Sequence, residues 1–212
     1  MIKEKIEQNV IQWKSNFGNS YIERNPLTKK NLEIRINMWK TLFSSLNLKD
    51  INSALEVGCN VGLNLKAISK LHKCELFGVE PNEKAREIVL KNKICSNHNL
   101  HDGIAEKLNF KSETIDLTFT NGVLIHIPKD RLIKSMSEIF RVTKKYIICV
   151  EYFSDKSEEV KYGDEEVLLI KRDYGSLWLD NFKNLKLIDY GFFWKKATKL
   201  DNTTWWIFEK ET

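Results

Sequence analysis

The stretch Ser53-Ala54-Leu55-Glu56-Val57-Gly58-Cys59-Asn60-Val61-Gly62 decides the fold. Its apolar beginning reads as a short buried strand with an acid near its end. Gly58 permits a tight turn without a Cβ clash. Gly62, four positions on, opens a helix and lets the backbone come close to a ligand. The pattern is E-x-G-x-x-x-G. A glycine pair alone marks no more than a strand-to-helix turn. The next strand adds the second element: Leu76-Phe77-Gly78-Val79-Glu80 finishes in an acid 22 residues after Gly58.

That spacing is where a Rossmann-like fold carries the carboxylate that holds a ribose diol. The three-glycine dinucleotide fingerprint G-x-G-x-x-G is not present after the first strand. From position 53 onward strands alternate with helices. Strands are expected near 53–57, 75–80, 98–101, 115–120 and 145–152, and helices near 62–72, 82–92 and 129–142. Such alternation predicts a parallel sheet with helices on both faces. Segments 185–193 and 203–209 are aromatic and β-branched, and the link between them is too short for a crossover helix. They should pair antiparallel and close the sheet.

Before the core, Ile2, Ile6, Val10 and Trp13 recur at helical spacing and predict a helix over 2–15. Residues 17–25 read as a loop. Thr28 is placed to cap a second helix running to about Leu46, with Leu32, Ile36, Trp39 and Phe43 on one face. The whole reads as one domain over 1–212: an N-terminal helical cap (1–48), a core (49–152), and a segment with the closing strands (153–212).

The bulk numbers bound the function. A chain of 212 residues with 42% hydrophobic and 30% charged content suits one α/β domain. The net charge of +5 is dispersed, so no basic stripe for nucleic acid is visible. Cys59, Cys74, Cys95 and Cys149 form no C-x-x-C pair and no metal spacing with the four histidines. They read as reduced thiols of a cytoplasmic protein. The first residues lack the apolar core of a signal peptide, and no run approaches a membrane span. No nucleic acid, membrane or metal is therefore expected as a partner, and the oligomeric state is left open.

Glu56-x-Gly58-x-x-x-Gly62, Val79-Glu80-Pro81-Asn82 and Asp102-Gly103-Ile104-Ala105 together resemble the class I S-adenosylmethionine (SAM)-dependent methyltransferases. The resemblance implies a Rossmann-like α/β fold with a seven-stranded, mostly parallel sheet and an antiparallel C-terminal hairpin. It implies SAM as cofactor and S-adenosylhomocysteine (SAH) as product. Gly58, Cys59, Asn60 and Gly62 would line the amino-acid and ribose side. Glu56 would face the ammonium, or serve only the turn. Glu80, with Pro81 and Asn82, would hold the ribose diol. Asp102 would meet the adenine amino group, with Gly103, Ile104 and Ala105 on the ring. Asn121, Gly122 and Val123, after the fourth strand, would border the methyl group. Asn121-Gly122-Val123-Leu124 lacks the N-P-P-[YF] pattern of DNA amino-methyltransferases. His126 reads either as a general base or as a loop-packing group.

A narrower resemblance, to the pseudaminic acid biosynthesis-associated methyltransferases, runs over nearly the whole chain. It is carried by Trp13-x-x-x-Phe17-Gly18-x-x-Tyr21-x-x-Arg24-Asn25, residues 55–65, Lys145–Tyr152, Lys171-Arg172-Asp173-Tyr174 and residues 187–192. It implies O- or N-methylation of a small acidic sugar or its activated form. Arg24 and Arg172 would grip a carboxylate. Tyr21, Asn25, Tyr152 and Tyr190 would meet the sugar, and Glu151 would take a proton or orient an amine. The rivals are a methyltransferase acting on RNA or protein, and a SAM-binding module without catalysis.

Overall fold

The computed structural model describes residues 10–162 and 165–211. Most of the helix expected over 2–15 lies outside the described residues; positions 10–14 are helical. Two further helices precede the sheet, α1 (Asn16–Arg24) and α2 (Lys29–Phe43). The expected loop over 17–25 is thus a helix up to Arg24. Gly, Asn and Ser are poor helix formers, but burial of Phe17 and Gly18 against the rest of the protein overrides local preference. Thr28 caps α2 as expected, its hydroxyl accepting from the Asn31 amide at 3.1 Å.

The core alternates β1 (Ser53–Val57), α3 (Leu63–Leu71), β2 (Glu75–Val79), α4 (Glu83–Lys91), β3 (Leu100–His101), β4 (Ile115–Asn121), α5 (Lys129–Val142) and β5 (Thr143–Glu151). Beyond it come β6 (Glu158–Tyr162), β7 (Glu165–Lys171), α6 (Tyr174–Asn181), β8 (Leu185–Phe193), the single turn α7 (Lys195–Thr198) and β9 (Thr203–Lys210). The main sheet has seven strands in the order β3-β2-β1-β4-β5-β9-β8. Strands β1 to β5 pair in parallel, and β9 runs antiparallel to both β5 and β8. β6 and β7 form a separate antiparallel pair that the sequence patterning does not announce.

Each face of the sheet is covered. On one, Trp39 and Leu42 of α2 and Leu65 and Ile68 of α3 pack on Phe119 and Ile148. On the other, Leu132, Met136 and Ile139 of α5 and Trp178 of α6 pack on Leu55, Ile147 and Phe208. β1 is buried at all five positions, as a central parallel strand requires. The strand order reverses between β1 and β4, and there the carboxyl ends of the strands open a crevice. No helix among the described residues is long and apolar enough to cross a membrane.

Candidate active site

The turn after β1 is built from left-handed residues: Gly58 (φ 77°), Asn60 (φ 46°) and Gly62 (φ 74°). Asn tolerates this region better than most side chains, and glycine occupies it freely. The Gly58 and Cys59 amides donate to the Val79 carbonyl at 2.8 and 3.1 Å, tying the turn to the end of β2. A Cβ on Gly58 would sit 2.6 Å from Val123 Cγ2, so the turns after β1 and β4 are in close contact. Gly62 differs from the expectation. It does not line the crevice, and a Cβ there would meet Ile94 and Val89 at 3.1 Å. It starts α3 and lets that helix pack on its neighbours.

Glu80 follows β2 and is buried. Its Oε2 accepts from the Asn60 amide at 2.8 Å and its Oε1 from the Asn82 amide at 2.9 Å. Burial raises its pKa above 4.5, and these two amides oppose the rise. Glu56, one strand over, is buried as well; Asn64 donates to its Oε1 at 2.6 Å. Its Oε2 and the Asn64 Oδ1 are buried acceptors with no hydrogen-bond donor. Burial pushes the Glu56 pKa up to about 8, against the pull of Asn64 and Arg35. Arg35, on α2, lines the same space, and desolvation lowers its pKa. The sequence reading passed over Arg35, which sits among the helical core positions Leu32, Ile36 and Trp39.

One pocket collects most of the expected cofactor residues: Glu56, Gly58, Cys59, Asn60, Glu80, Pro81, Asn82, Gly103, Ile104, Ala105, Asn121, Gly122 and Val123 all line it. Asp102 is not among its walls. Its exposed carboxylate pairs with Lys14 at 3.1 Å and Arg86 at 3.5 Å on the rim. Trp13, Tyr21 and Asn25 close the pocket from the N-terminal side. The Asn82 side chain bolts that segment down. Its Nδ2 donates to the Trp13 carbonyl at 2.9 Å and to Asn19 Oδ1 at 3.2 Å, while its Oδ1 caps α4 through the Ala85 amide.

His126 lines the pocket, buried, with its ring 4.9 Å from that of Trp13 in an edge-on contact. Tyr152 is also in the wall. The other residues assigned to the acceptor side stand elsewhere. Arg24 is exposed and lies over the rings of Phe17 and Tyr21, 5.5 and 5.6 Å from their centroids. Tyr190 is 66% exposed on β8, the edge strand. Arg172 is buried outside the pocket, donating to the Ile127 carbonyl at 3.2 Å. Glu151 is fully buried and turned onto the backbone amides of 123–125. Burial raises its pKa to about 7. Both are charged groups at strand ends, a position that pattern alone cannot distinguish from the ligand edge. Arg131, which the sequence reading missed, does line the pocket, paired with Glu106.

Residues 55–149 match the methyltransferase domain family. The 24-methylenesterol C-methyltransferase 3 of Arabidopsis thaliana is 31% identical over 125 residues, covering 57% of this chain and 34% of that protein. The chain spans 34–41% of the length of the curated relatives it matches. Among solved structures, a SAM-dependent methyltransferase of Leishmania major has a TM-score of 0.72 at 15% identity, covering 95% of this chain and 82% of that one. The SAH-bound magnesium protoporphyrin IX methyltransferase of Synechocystis has a TM-score of 0.69 at 13% identity, covering 98% and 100%. A 4+2 cyclase also matches, with a TM-score of 0.61 at 12% identity over 84% and 82%. At these identities the likeness is one of fold, and the reaction has to be argued from the site. Residues 55–149 thus carry a methyltransferase-domain match within a fold shared with SAM-dependent methyltransferases.

Proposed function

We propose that the protein transfers a methyl group from SAM to a small polar acceptor. The observation that carries this reading is the pair of buried carboxylates, Glu56 and Glu80. They end adjacent parallel strands beside a left-handed glycine turn, in one pocket. The residues fit the cofactor part by part. Glu80 is fixed by two amides and keeps lone pairs for two ribose hydroxyls. The Glu56 carboxylate and Asn64 Oδ1 suit an ammonium group. Arg35 beside them suits the carboxylate of the same amino-acid end. Gly103, Ile104 and Ala105 provide a surface for the adenine ring.

Bound SAM would supply a methyl group already activated by the sulfonium. The chain's own task is then alignment, exclusion of water and, where the acceptor needs it, removal of a proton. Gly122, whose missing Cβ has nothing within 4 Å, leaves room in the wall where the acceptor must approach. The segment from Trp13 to Asn25 closes the pocket against solvent. His126 is the residue in the wall suited to take a proton from a hydroxyl or amine near neutral pH.

The finer reading is an acidic, nonulosonic-type sugar or its nucleotide-activated form. The whole-chain resemblance motivates it. Within the pocket Arg131, Tyr152 and His126 support it, in place of Arg24 and Arg172. Calorimetry with SAH tests the cofactor: micromolar binding is expected, with at least a tenfold loss for Glu80→Ala. A hydrogen bond to a charged acceptor contributes about 1.5–3 kcal/mol. Unchanged affinity in that variant would remove the ribose assignment. Label from methyl-labelled SAM should enter a nucleotide-activated acidic sugar. Label entering RNA or protein instead would replace the acceptor and leave the reaction class.

A further inference from the structure

Two buried charged side chains outside the pocket hold opposite sides of one of its walls. Glu151, the last residue of β5, accepts from the amides of Val123 and Leu124 at 3.1 Å each through Oε1, and of Ile125 at 3.4 Å through Oε2. Arg172, just after β7, donates to the carbonyl of Ile127 at 3.2 Å and is 3.4 Å from the Tyr174 hydroxyl. That hydroxyl donates in turn to the Ile170 carbonyl at 2.7 Å. The Arg172 amide donates to the Tyr152 carbonyl at 3.4 Å, joining the small hairpin to the end of β5.

The segment so held is a single 3₁₀ turn, Leu124–His126, closed by His126 N–H to Val123 O and Ile127 N–H to Leu124 O, both at 3.0 Å. A turn this short has little stability of its own. It nonetheless carries Val123 against Gly58, and presents His126 to the pocket and to Trp13. Burying a carboxylate and a guanidinium is costly, and stabilising one turn is a weak return for it. Fixing the orientation of a wall that borders the reacting atoms is a larger one.

We propose that Glu151 and Arg172 are positioning residues that clamp residues 123–127 from the amide and carbonyl sides. They thereby set the place of Val123 and His126 in the pocket. The small β6–β7 hairpin, through Arg172, is part of the same device. The functional consequence rests on the methyltransferase reading above; the clamp itself does not.

The test uses the full chain with Glu151→Gln and Arg172→Met, and Arg172→Lys as the conservative control. Three quantities are measured: amide exchange at 123–125, the NMR titration midpoint of the His126 ring, and SAH affinity by calorimetry. Glu151→Gln should speed exchange at 123–125 at least tenfold, leave β1 and β2 amides unchanged, displace the His126 midpoint and weaken SAH about tenfold. Arg172→Met should displace the His126 midpoint, and Arg172→Lys should restore it. A folded Glu151→Gln variant with native exchange at 123–125 and a native His126 midpoint would overturn the proposal. Should that variant fail to fold, an unchanged His126 midpoint in Arg172→Met would overturn it equally. Wild-type protein without measurable SAH affinity would end the cofactor reading, while exchange and the His126 midpoint would still decide the clamp.

Discussion

Replacing Glu56 by Gln tests the cofactor's amino-acid end through protons. Burial raises the Glu56 pKa from 4.5 to about 8, so the group gains no stability from ionising in the folded state. A raised carboxylate pKa means the folded state binds the proton more tightly than the unfolded one. The resulting cost is absent below pH 4.5, grows between pH 4.5 and 8, and is constant above. At pH 7 it reaches about 3 kcal/mol, at roughly 1.4 kcal/mol per pH unit. A ligand ammonium beside Oε2 favours the ionised form. At pH 7 the free protein holds about nine tenths of a proton there, and SAH binding should release most of it. The enthalpy measured by calorimetry should therefore vary with the ionisation enthalpy of the buffer. Wild-type affinity should rise by up to about ninefold between pH 6 and pH 7, below the range where an α-amino group titrates. Glu56→Gln keeps the shape, removes the proton, and should show much weaker buffer dependence and a shallower profile. Its unfolding temperature without ligand should also decline less steeply across this range than the wild type's, with Glu151 keeping its own raised pKa. Buffer-independent enthalpy in the wild type, or an unchanged pH slope in Glu56→Gln, would refute the reasoning.

Gly58→Ala should abolish SAH binding and destabilise the fold by about 1–3 kcal/mol. The new Cβ would lie 2.6 Å from Val123 Cγ2, on a backbone at φ 77° that disfavours side chains. Native affinity by thermal shift would reduce Gly58 to a plain turn residue. Gly18→Ala should act against helix propensity. Alanine ordinarily stabilises a helix by up to about 1 kcal/mol over glycine. Here its Cβ would meet the Trp13 carbonyl oxygen at 1.9 Å and Asn82 Nδ2 at 2.7 Å. The N-terminal segment should come off the pocket, raising protease sensitivity before residue 26 and weakening SAH while the core stays folded. Unchanged proteolysis and affinity would show that the segment is not held through Asn82.

The sheet was legible from the sequence because its signals are local. An apolar run ending at Glu56, a glycine turn and a second run ending at Glu80 mark two strands of a parallel sheet. The aromatic segments around Tyr190 and Trp206 announce the antiparallel close. The pocket wall was legible where the resemblance to class I methyltransferases supplied its residues. Gly58, Glu80 and Gly103 could be placed in it without coordinates. The direction in which a side chain leaves a strand end or helix is not local, and there the reading failed. Glu151 and Arg172 stand at strand ends like Glu80, yet backbone amides and a carbonyl inside the protein claim them. Arg24 lies on aromatic rings at the surface, while Arg35, one register of α2 away from the core stripe, turns into the pocket. Sequence by itself determined the succession of strands and helices, the glycine turn and the two carboxylates Glu56 and Glu80, because backbone geometry fixes these within a few residues. Only the tertiary structure decided which charged groups face the pocket, because that depends on which buried polar groups of distant segments must be satisfied first.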